Sequence, residues 1–224
     1  MSPEQQFNLL QEQMSSLSNA QQAKDMKRYM KNLFDFYGVK SPERKQVFSE
    51  FWRKCNSGYK SESQLLINLL WEDNHRESQY LAMDLMTKFL KQLQLGDLDF
   101  IESLVMKKPW WDTVDYLASN PIGSILYRFP DARLHWIEKW MSSDNMWLQR
   151  CCLLFQLKYK HEVDADLLSA CITDLKGGNE FFINKAIGWA LRQYSKFNPE
   201  YVRQFLDGHQ DLHSLSRREA SKYI

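Results

Sequence analysis

Glycine and proline, the residues that most often interrupt helices, are scarce in this chain. Among 224 residues there are eight glycines and six prolines, whereas leucine, glutamine, lysine, glutamate, methionine and tryptophan are plentiful. The abundant residues favour helices, and no segment alternates polar and apolar residues over a useful length as a strand would. The composition predicts an all-α protein, long enough to bury a substantial core as one large domain or two small ones.

Cysteines are few, and the chain has neither an excess of one charge nor a long apolar run. The four cysteines, Cys55, Cys151, Cys152 and Cys171, include no C-x-x-C pair, which favours reduced thiols in the cytosol over a disulfide framework. No apolar run approaches the ~18 residues of a membrane span, and the N-terminus has no basic-then-apolar signal pattern. We therefore expect a cytoplasmic protein without a membrane partner. The formal net charge of +1 neither supports nor excludes nucleic acid.

Residues that bind metals or phosphates lack a suitable context. His209 and His213 are four apart, but Gly208 and the polar residues around them argue against a helix there, and no third ligand lies nearby. No glycine-rich loop suits a nucleotide phosphate, and no serine lies in a nucleophile elbow. We expect neither a metal nor a cofactor, so any enzymatic chemistry has to depend on carboxylate and aromatic side chains.

Helical periodicity recurs along the whole chain. Apolar residues follow three-and-four spacing in segments 4–17, 20–36, 41–55, 61–72, 75–93, 97–107, 109–119, 121–128, 131–142, 144–160, 164–176, 179–196, 198–207 and 215–224. Short capped loops join them, so neighbouring helices should pack antiparallel, with a repeat of roughly 35 to 40 residues. This rhythm predicts a curved α-solenoid of HEAT-like helix pairs with a concave binding face, forming one domain over residues 1–224. The chain ends inside the last segment, which leaves open whether a native tail follows.

The stretch 107–115 contains more chemistry than helix packing needs, because two tryptophans, two carboxylates and two lysines surround one proline. If a helix begins at this proline, Trp111 and Asp115 are four residues apart and share one face. Trp110 and Val114 then lie on another face, which we expect to be buried. One face would anchor the helix, and the other would present an indole above a carboxylate.

The predicted helix 179–196 has two distinct faces. Its expected core residues are Ile183, Ala186, Ile187, Ala190, Leu191 and Tyr194. Lys185, Trp189, Arg192 and Lys196 follow one another on a second face at spacings of four, three and four. A tryptophan flanked by bases suits phosphate contact and packing against a sugar or base. The alternative, a tryptophan packed on a neighbouring helix beside solvated lysines, is commoner for an arbitrary helix.

Other basic residues give weaker signals. Arg150 lies off the core line of its helix, as a surface charge or as the partner of a nearby carboxylate. Tyr29 lies in the basic run 27–31, and such runs are usually solvated. Arg217 and Arg218 open the last segment, where a helix N-terminus favours phosphate. None of these residues decides the function by itself.

Six short strings occur along the chain in one order: RYMKN at 28–32, WWDTVD at 110–115, SDNMWLQR at 143–150, FQLKYK at 155–160, KAIGWALR at 185–192 and LSRREA at 215–220. From about residue 20 to its C-terminus, the chain closely resembles the AlkD-type DNA alkylation repair glycosylases, which are built of HEAT-like helical repeats. The motifs follow the family's order at similar spacings, which is far more specific than any one of them.

The resemblance implies a DNA glycosylase that removes positively charged N3- and N7-alkylated purines, such as 3-methyladenine and 7-methylguanine, from duplex DNA. The family's catalytic aspartate and its two flanking tryptophans fall on Asp115, Trp111 and Trp189. Its backbone-contacting arginines and its second-helix aromatic correspond to Arg150, Arg192 and Tyr29. The further residues that we expect to contact DNA are Lys185, Lys158 and Arg217. The family also implies that the damaged base need not be flipped into a pocket.

The residue inventory agrees with this chemistry. An alkylated purine is already positively charged and leaves readily, so no general acid is needed. One carboxylate in a preorganised site can stabilise an oxocarbenium-like sugar and place a water, and aromatic faces add attraction to the developing charge. We expect a monofunctional, monomeric enzyme. A non-catalytic HEAT-like module that binds DNA or protein, and a glycosylase for bulkier adducts, remain as alternatives.

Overall fold

The computed structural model describes residues 1–55 and 60–224, apart from the side chains of residues 60–62. Across these residues the regular structure is helical and no residue belongs to a strand, although Asp35 and His75 form an isolated bridge. The helices are α1 (Pro3–Ser16), α2 (Ala20–Tyr29), α3 (Ser41–Cys55), α4 (Lys60–Glu72), α5 (Arg76–Thr87), α6 (Leu98–Met106), α7 (Trp111–Leu117), α8 (Gly123–Arg128), α9 (Arg133–Met141), α10 (Met146–Leu154), α11 (Ala165–Leu175), α12 (Phe181–Ser195), α13 (Pro199–Gly208) and α14 (Ser214–Ala220). The all-α prediction is confirmed.

Each predicted segment corresponds to one of these helices, and the differences lie at the ends. Helix α2 ends at Tyr29 instead of continuing to residue 36, because Lys31 and Asn32 have φ angles of 57° and 61° and so leave the helical region. Helix α7 begins at Trp111 and not at Pro109 as predicted, because Trp110 is extended, with φ −159° and ψ 161°. The predicted segments 75–93 and 144–160 are also too long, since α5 ends at Thr87 and α10 at Leu154.

Residues Met1–Gln92 form one compact unit. In it α1 packs against α3 and α4, and α4 pairs with α5. The buried carboxylate of Glu77 accepts hydrogen bonds from the backbone N–H groups of Tyr37, Gly38 and Val39, at 2.9–3.1 Å. Gly38 has φ 85°, and a Cβ on it would lie 2.2 Å from the carbonyl oxygen of Asn19, so only glycine fits this turn.

Residues Leu93–Ile224 form a second compact unit. Helix α12 packs against α10, α13 and α14, and α10 also contacts α6, α7, α9 and α11. The six core residues predicted for α12 are all buried. Together α10 and α12 therefore form the centre of this unit, and residues on their other faces are held in fixed positions.

The described residues form a succession of short helices without a strand, and the predicted α-solenoid class is confirmed. The single domain spanning residues 1–224 stays a prediction. Within residues 1–55 and 60–224, no helix combines the length and the apolar character that crossing a membrane requires.

Candidate active site

Helix α7 carries the predicted catalytic residue, and its sequence explains how it is held. Asp112 is an acid in the first turn, which the helix dipole favours. Val114 and Leu117 are fully buried and anchor the helix. Trp111 begins the helix and is partly exposed. Asp115 lies one turn later, and only 17% of its side chain is exposed.

The partner of Asp115 is Arg150 on α10. Arg150 Nε donates to Asp115 Oδ1 at 2.7 Å, and Nη2 donates to Oδ2 at 2.9 Å. The third nitrogen, Nη1, donates to the carbonyl oxygen of Phe182 at the start of α12. Two parallel bonds between arginine and carboxylate are both strong and directional. The geometry therefore fixes the position and the plane of the carboxylate.

Arg150 itself is 1% exposed. Of the two alternatives left by the sequence, the carboxylate partner is confirmed and the surface charge is wrong. The reason is the order of residues on α10, where Cys151 and Leu154 are fully buried and draw the adjacent arginine inward. The structure thus places this guanidinium against Asp115 instead of in solvent, where a phosphate would meet it. The phosphate contact expected for Arg150 stays a prediction that this ion pair does not favour.

The electrostatics of Asp115 follow from two opposing effects. Burial raises the pKa of Asp115 above its ordinary value, the bonds and charge of Arg150 lower the pKa, and the Asp112 carboxylate raises it slightly. The net direction is upward. Burial also raises the pKa of the neighbouring Cys151 thiol, with a contribution from Asp115, so this cysteine stays neutral and is no nucleophile.

Trp189 lies between two arginines. The Cζ atom of Arg150 is 5.7 Å from the centre of the Trp189 ring, and the Cζ of Arg192 is 5.8 Å from it. Both distances are within cation–π range. Trp189 remains partly exposed on α12, as do Lys185 and Arg192, so the predicted second face of this helix is confirmed. The tryptophan is thereby linked to Asp115 through one shared arginine.

An aromatic cluster supports the other side of Arg150. The Phe182 ring lies 5.0 Å from the rings of both Trp110 and Trp147, and these two tryptophans are 5.8 Å apart. Trp110 packs in this cluster as an anchor, but it precedes the helix and is partly exposed, so the predicted burial on a face of α7 is wrong. No pattern of side chains indicated Phe182, because it bonds Arg150 through its backbone carbonyl.

Glu219 on α14 is the second residue that sequence reasoning missed. Its carboxylate bonds Lys185 Nζ and Arg192 Nη1 of α12, each at 2.7 Å, and Lys222 Nζ, also at 2.7 Å. The bonds and charges of Lys185, first, and of Lys222 lower the pKa of Glu219 to about 2. Asp115, Arg150, Trp189, Arg192 and Glu219 thus follow one another as a chain of contacts across α7, α10, α12 and α14.

Residues 10–224 match the family model of the DNA alkylation repair enzymes. The chain belongs to this family. It is also similar to a solved structure described as a predicted DNA alkylation repair enzyme from Enterococcus faecalis, with a TM-score of 0.85 and 32% sequence identity over 92% of this chain and 96% of that one. Among curated proteins there is no significant match. The predicted resemblance is confirmed, and the family supports a role in DNA alkylation repair with DNA as the substrate.

Three other candidate contacts of this repair enzyme have different surroundings. Lys158 Nζ donates to Asn120 Oδ1, in the π-helix Ala118–Ile122 that follows α7. Arg217 Nη2 donates to the carbonyl oxygens of Leu206 and His209 at 2.9 and 2.7 Å, and so stabilises the end of α13. Tyr29 ends α2 in the first unit and is 70% exposed. DNA contact by these three residues stays a prediction.

The histidines and cysteines of the repair enzyme have ordinary partners. His209 follows α13 and His213 precedes α14, so the predicted interruption of the helix is confirmed. His209 Nδ1 lies 2.8 Å from the Phe205 carbonyl oxygen, and His213 Nδ1 accepts from the backbone N–H of Leu215. All four cysteines are free thiols. In the part of the chain that the structure describes, no three His, Cys, Asp or Glu residues are grouped as a metal site.

Proposed function

We propose that this repair enzyme is a monofunctional DNA glycosylase, which hydrolyses the N-glycosidic bond of positively charged N3- and N7-alkylpurines in duplex DNA. It acts as a cytoplasmic monomer, without a metal, a cofactor or a base-flipping pocket. The observation that carries the proposal is the Asp115 carboxylate, which is 17% exposed and bonded through both oxygens to a buried arginine. A carboxylate so desolvated and fixed is typical of a catalytic site.

The substrate supplies the leaving group. When the bond from C1′ of the deoxyribose to the purine nitrogen breaks, its electron pair neutralises the positive charge of the alkylated base. The sugar becomes oxocarbenium-like, and a nearby carboxylate in a partly dry site stabilises this charge far better than water does. Water then bonds to C1′, and its proton passes to Asp115 and on to solvent. The products are a neutral alkylpurine and an abasic site.

Arg150 is a positioning residue in this scheme. It holds both carboxylate oxygens, and its bonds and charge lower the pKa of Asp115 against the effect of burial, which favours the ionised carboxylate. Because a guanidinium is no amine nucleophile, the cation nearest Asp115 cannot form a Schiff base with the abasic sugar. This supports a hydrolase without a strand-cutting lyase step. Trp111 and Trp189 offer aromatic faces to the sugar as its charge develops.

The test is base release from methylated duplex DNA by wild type and by the Asp115→Asn variant. We expect Asp115→Asn to retain DNA binding and to release 7-methylguanine at least about a hundredfold more slowly, because the charge that stabilises the sugar is gone. Asp112→Asn is the matched control, since it removes a carboxylate from the same helix without touching Arg150, and it should keep most of the activity.

Full activity in Asp115→Asn would remove this residue from the mechanism. A wild type that binds DNA and releases no base would favour the non-catalytic module. A wild type that releases only bulkier adducts would leave the mechanism in place and replace the substrate.

A further inference from the structure

The Glu219 carboxylate is more deeply buried than the cations that it bonds. Its side chain is 5% exposed, whereas those of Lys185, Arg192 and Lys222 are 27%, 26% and 47% exposed. Oε1 accepts from Lys185 Nζ, and Oε2 accepts from both Arg192 Nη1 and Lys222 Nζ. The three cationic groups therefore converge over one negative charge and stand between that charge and the solvent.

The cluster has a surplus of positive charge. Three cations and one carboxylate leave a formal charge of two, and the pKa of about 2 keeps Glu219 ionised throughout the neutral range. Stability does not explain the third cation, because partly exposed ion pairs contribute little and the carboxylate is already satisfied by two. A converging group of one guanidinium and two ammonium ions is, however, the arrangement that binds a phosphate.

Helix packing fixes Glu219 in place. Gly188 on α12 is so close to α14 that a Cβ on it would lie 2.5 Å from Glu219 Cβ and 2.9 Å from the Ser216 carbonyl oxygen. Ser216 Oγ in turn donates to the carbonyl oxygen of Asn184 at 2.8 Å. The glycine thus brings the carboxylate directly beneath the cationic face of α12, next to Trp189.

We propose that Glu219 is a positioning residue that holds Lys185, Arg192 and Lys222 as a preformed site for a DNA phosphate beside Trp189. Arg192 joins the two parts, because it bonds Glu219 and also lies 5.8 Å from the Trp189 ring. Long cationic side chains lose rotamer freedom when they bind, and holding them in place beforehand reduces that loss. The inference rests on the proposed function only in taking DNA as the ligand.

The experiment measures the affinity of Glu219→Gln for an unmodified duplex over a series of salt concentrations. Simple charge counting predicts tighter binding, because the variant gains one positive charge. Positioning predicts the opposite. We expect roughly tenfold weaker binding and a salt slope that is smaller by about one, since at least one phosphate contact is lost.

Two other variants separate positioning from charge and from folding. Glu200→Gln removes the same charge from an exposed pair with Arg203 on α13, so its affinity should be unchanged or slightly higher. Lys222→Gln removes one cation that is 47% exposed, which should reduce the salt slope and leave the fold intact. If Glu219→Gln does not fold, the salt slope of Lys222→Gln still tests the proposal. A merely structural role for Glu219 would lower the unfolding free energy without changing the salt slope.

Binding by Glu219→Gln as tight as wild type, with an unchanged slope, would overturn the proposal, as would an unchanged slope in Lys222→Gln. These outcomes differ from failure of the glycosylase. If wild type binds the duplex but releases no alkylpurine, only the proposed reaction is contradicted. If wild type releases the base while Glu219→Gln binds DNA with unchanged affinity and salt slope, only the phosphate site is contradicted. A wild type without affinity for DNA would contradict both.

Discussion

The second unit contains two carboxylates that are held in opposite ways. Asp115 has one arginine on both of its oxygens, and burial raises its pKa. Glu219 has three cations on its two oxygens, and two of them, Lys185 and Lys222, lower its pKa to about 2. At Asp115 the effect of burial on the pKa exceeds the opposing effect of one arginine, whereas at Glu219 the bonds from Lys185 and Lys222 exceed the effect of burial. The balance between burial and bonded cations therefore decides in which direction each pKa moves. In our proposal Asp115 keeps its charge available for a reacting sugar, whereas the ionised Glu219 has its charge compensated by three cations and holds them in place.

Trp189 stands between these two regions. Arg150 approaches its ring from the side of Asp115, and Arg192 approaches it from the side of Glu219. The proposed catalytic carboxylate and the proposed phosphate site are thus adjacent but separately supported. Substitutions in each region should have different consequences.

The largest effect is expected from breaking the pair on the reactive side. Arg150→Ala leaves Asp115 partly buried without its cation, which should lower the unfolding free energy by about 3 to 5 kcal/mol. It should also raise the pKa of Asp115 further, because burial is then unopposed. If the variant folds, acidification should therefore abolish its base release at a higher pH than in wild type.

Chemical denaturation and a pH series of base release check this prediction. Arg203→Ala is the control, because its pair with Glu200 is exposed and should contribute less than about 1 kcal/mol. Equal losses of unfolding free energy in the two variants would show that the Arg150–Asp115 pair contributes no more to stability than the exposed Arg203–Glu200 pair.

A smaller effect is expected from separating α14 from α12. Gly188→Ala places a methyl group 2.5 Å from Glu219 Cβ, and such overpacking should lower the unfolding free energy by about 2 to 3 kcal/mol. It should also weaken DNA binding, because Glu219 is displaced. Gly208→Ala is the matched control, since a Cβ at Gly208 meets nothing within 4 Å. Thermal unfolding of both variants measures the difference, and equal stability would mean that the close approach of the two helices is unimportant.

The smallest effect concerns acid. Since the pKa of Glu219 is lowered to about 2, its stabilisation is present above its unfolded pKa of 4.5 and is lost as the pH falls through about 2. Its contribution should be about 2 kcal/mol, after allowance for the exposure of its partners. The pKa of Asp115 is shifted in the opposite direction, so on acidification Asp115 is protonated before Glu219. Base release should therefore disappear on acidification before the stability difference between wild type and Glu219→Gln does.

Sequence reasoning predicted the helices and the two faces of α12, because both follow from the spacing of apolar residues within one segment. It left open which carboxylate pairs with Arg150, and it did not predict the partners of Glu219. Asp115 and Arg150 are 35 positions apart, and Lys185 and Glu219 are 34 apart, so no periodicity within a helix relates them. The start of α7 was misplaced for a related reason, since the extended backbone of Trp110 places its ring against Phe182, a residue distant in the chain.

The central claim is that Asp115 performs the chemistry and Glu219 supports the docking. Single-turnover release of 7-methylguanine, with protein in saturating excess over methylated duplex, tests it most directly. Saturation removes differences in affinity, so Glu219→Gln should release the base at close to the wild-type rate, whereas Asp115→Asn should be at least about a hundredfold slower. Equal impairment of the two variants, or a fast Asp115→Asn, would contradict the account.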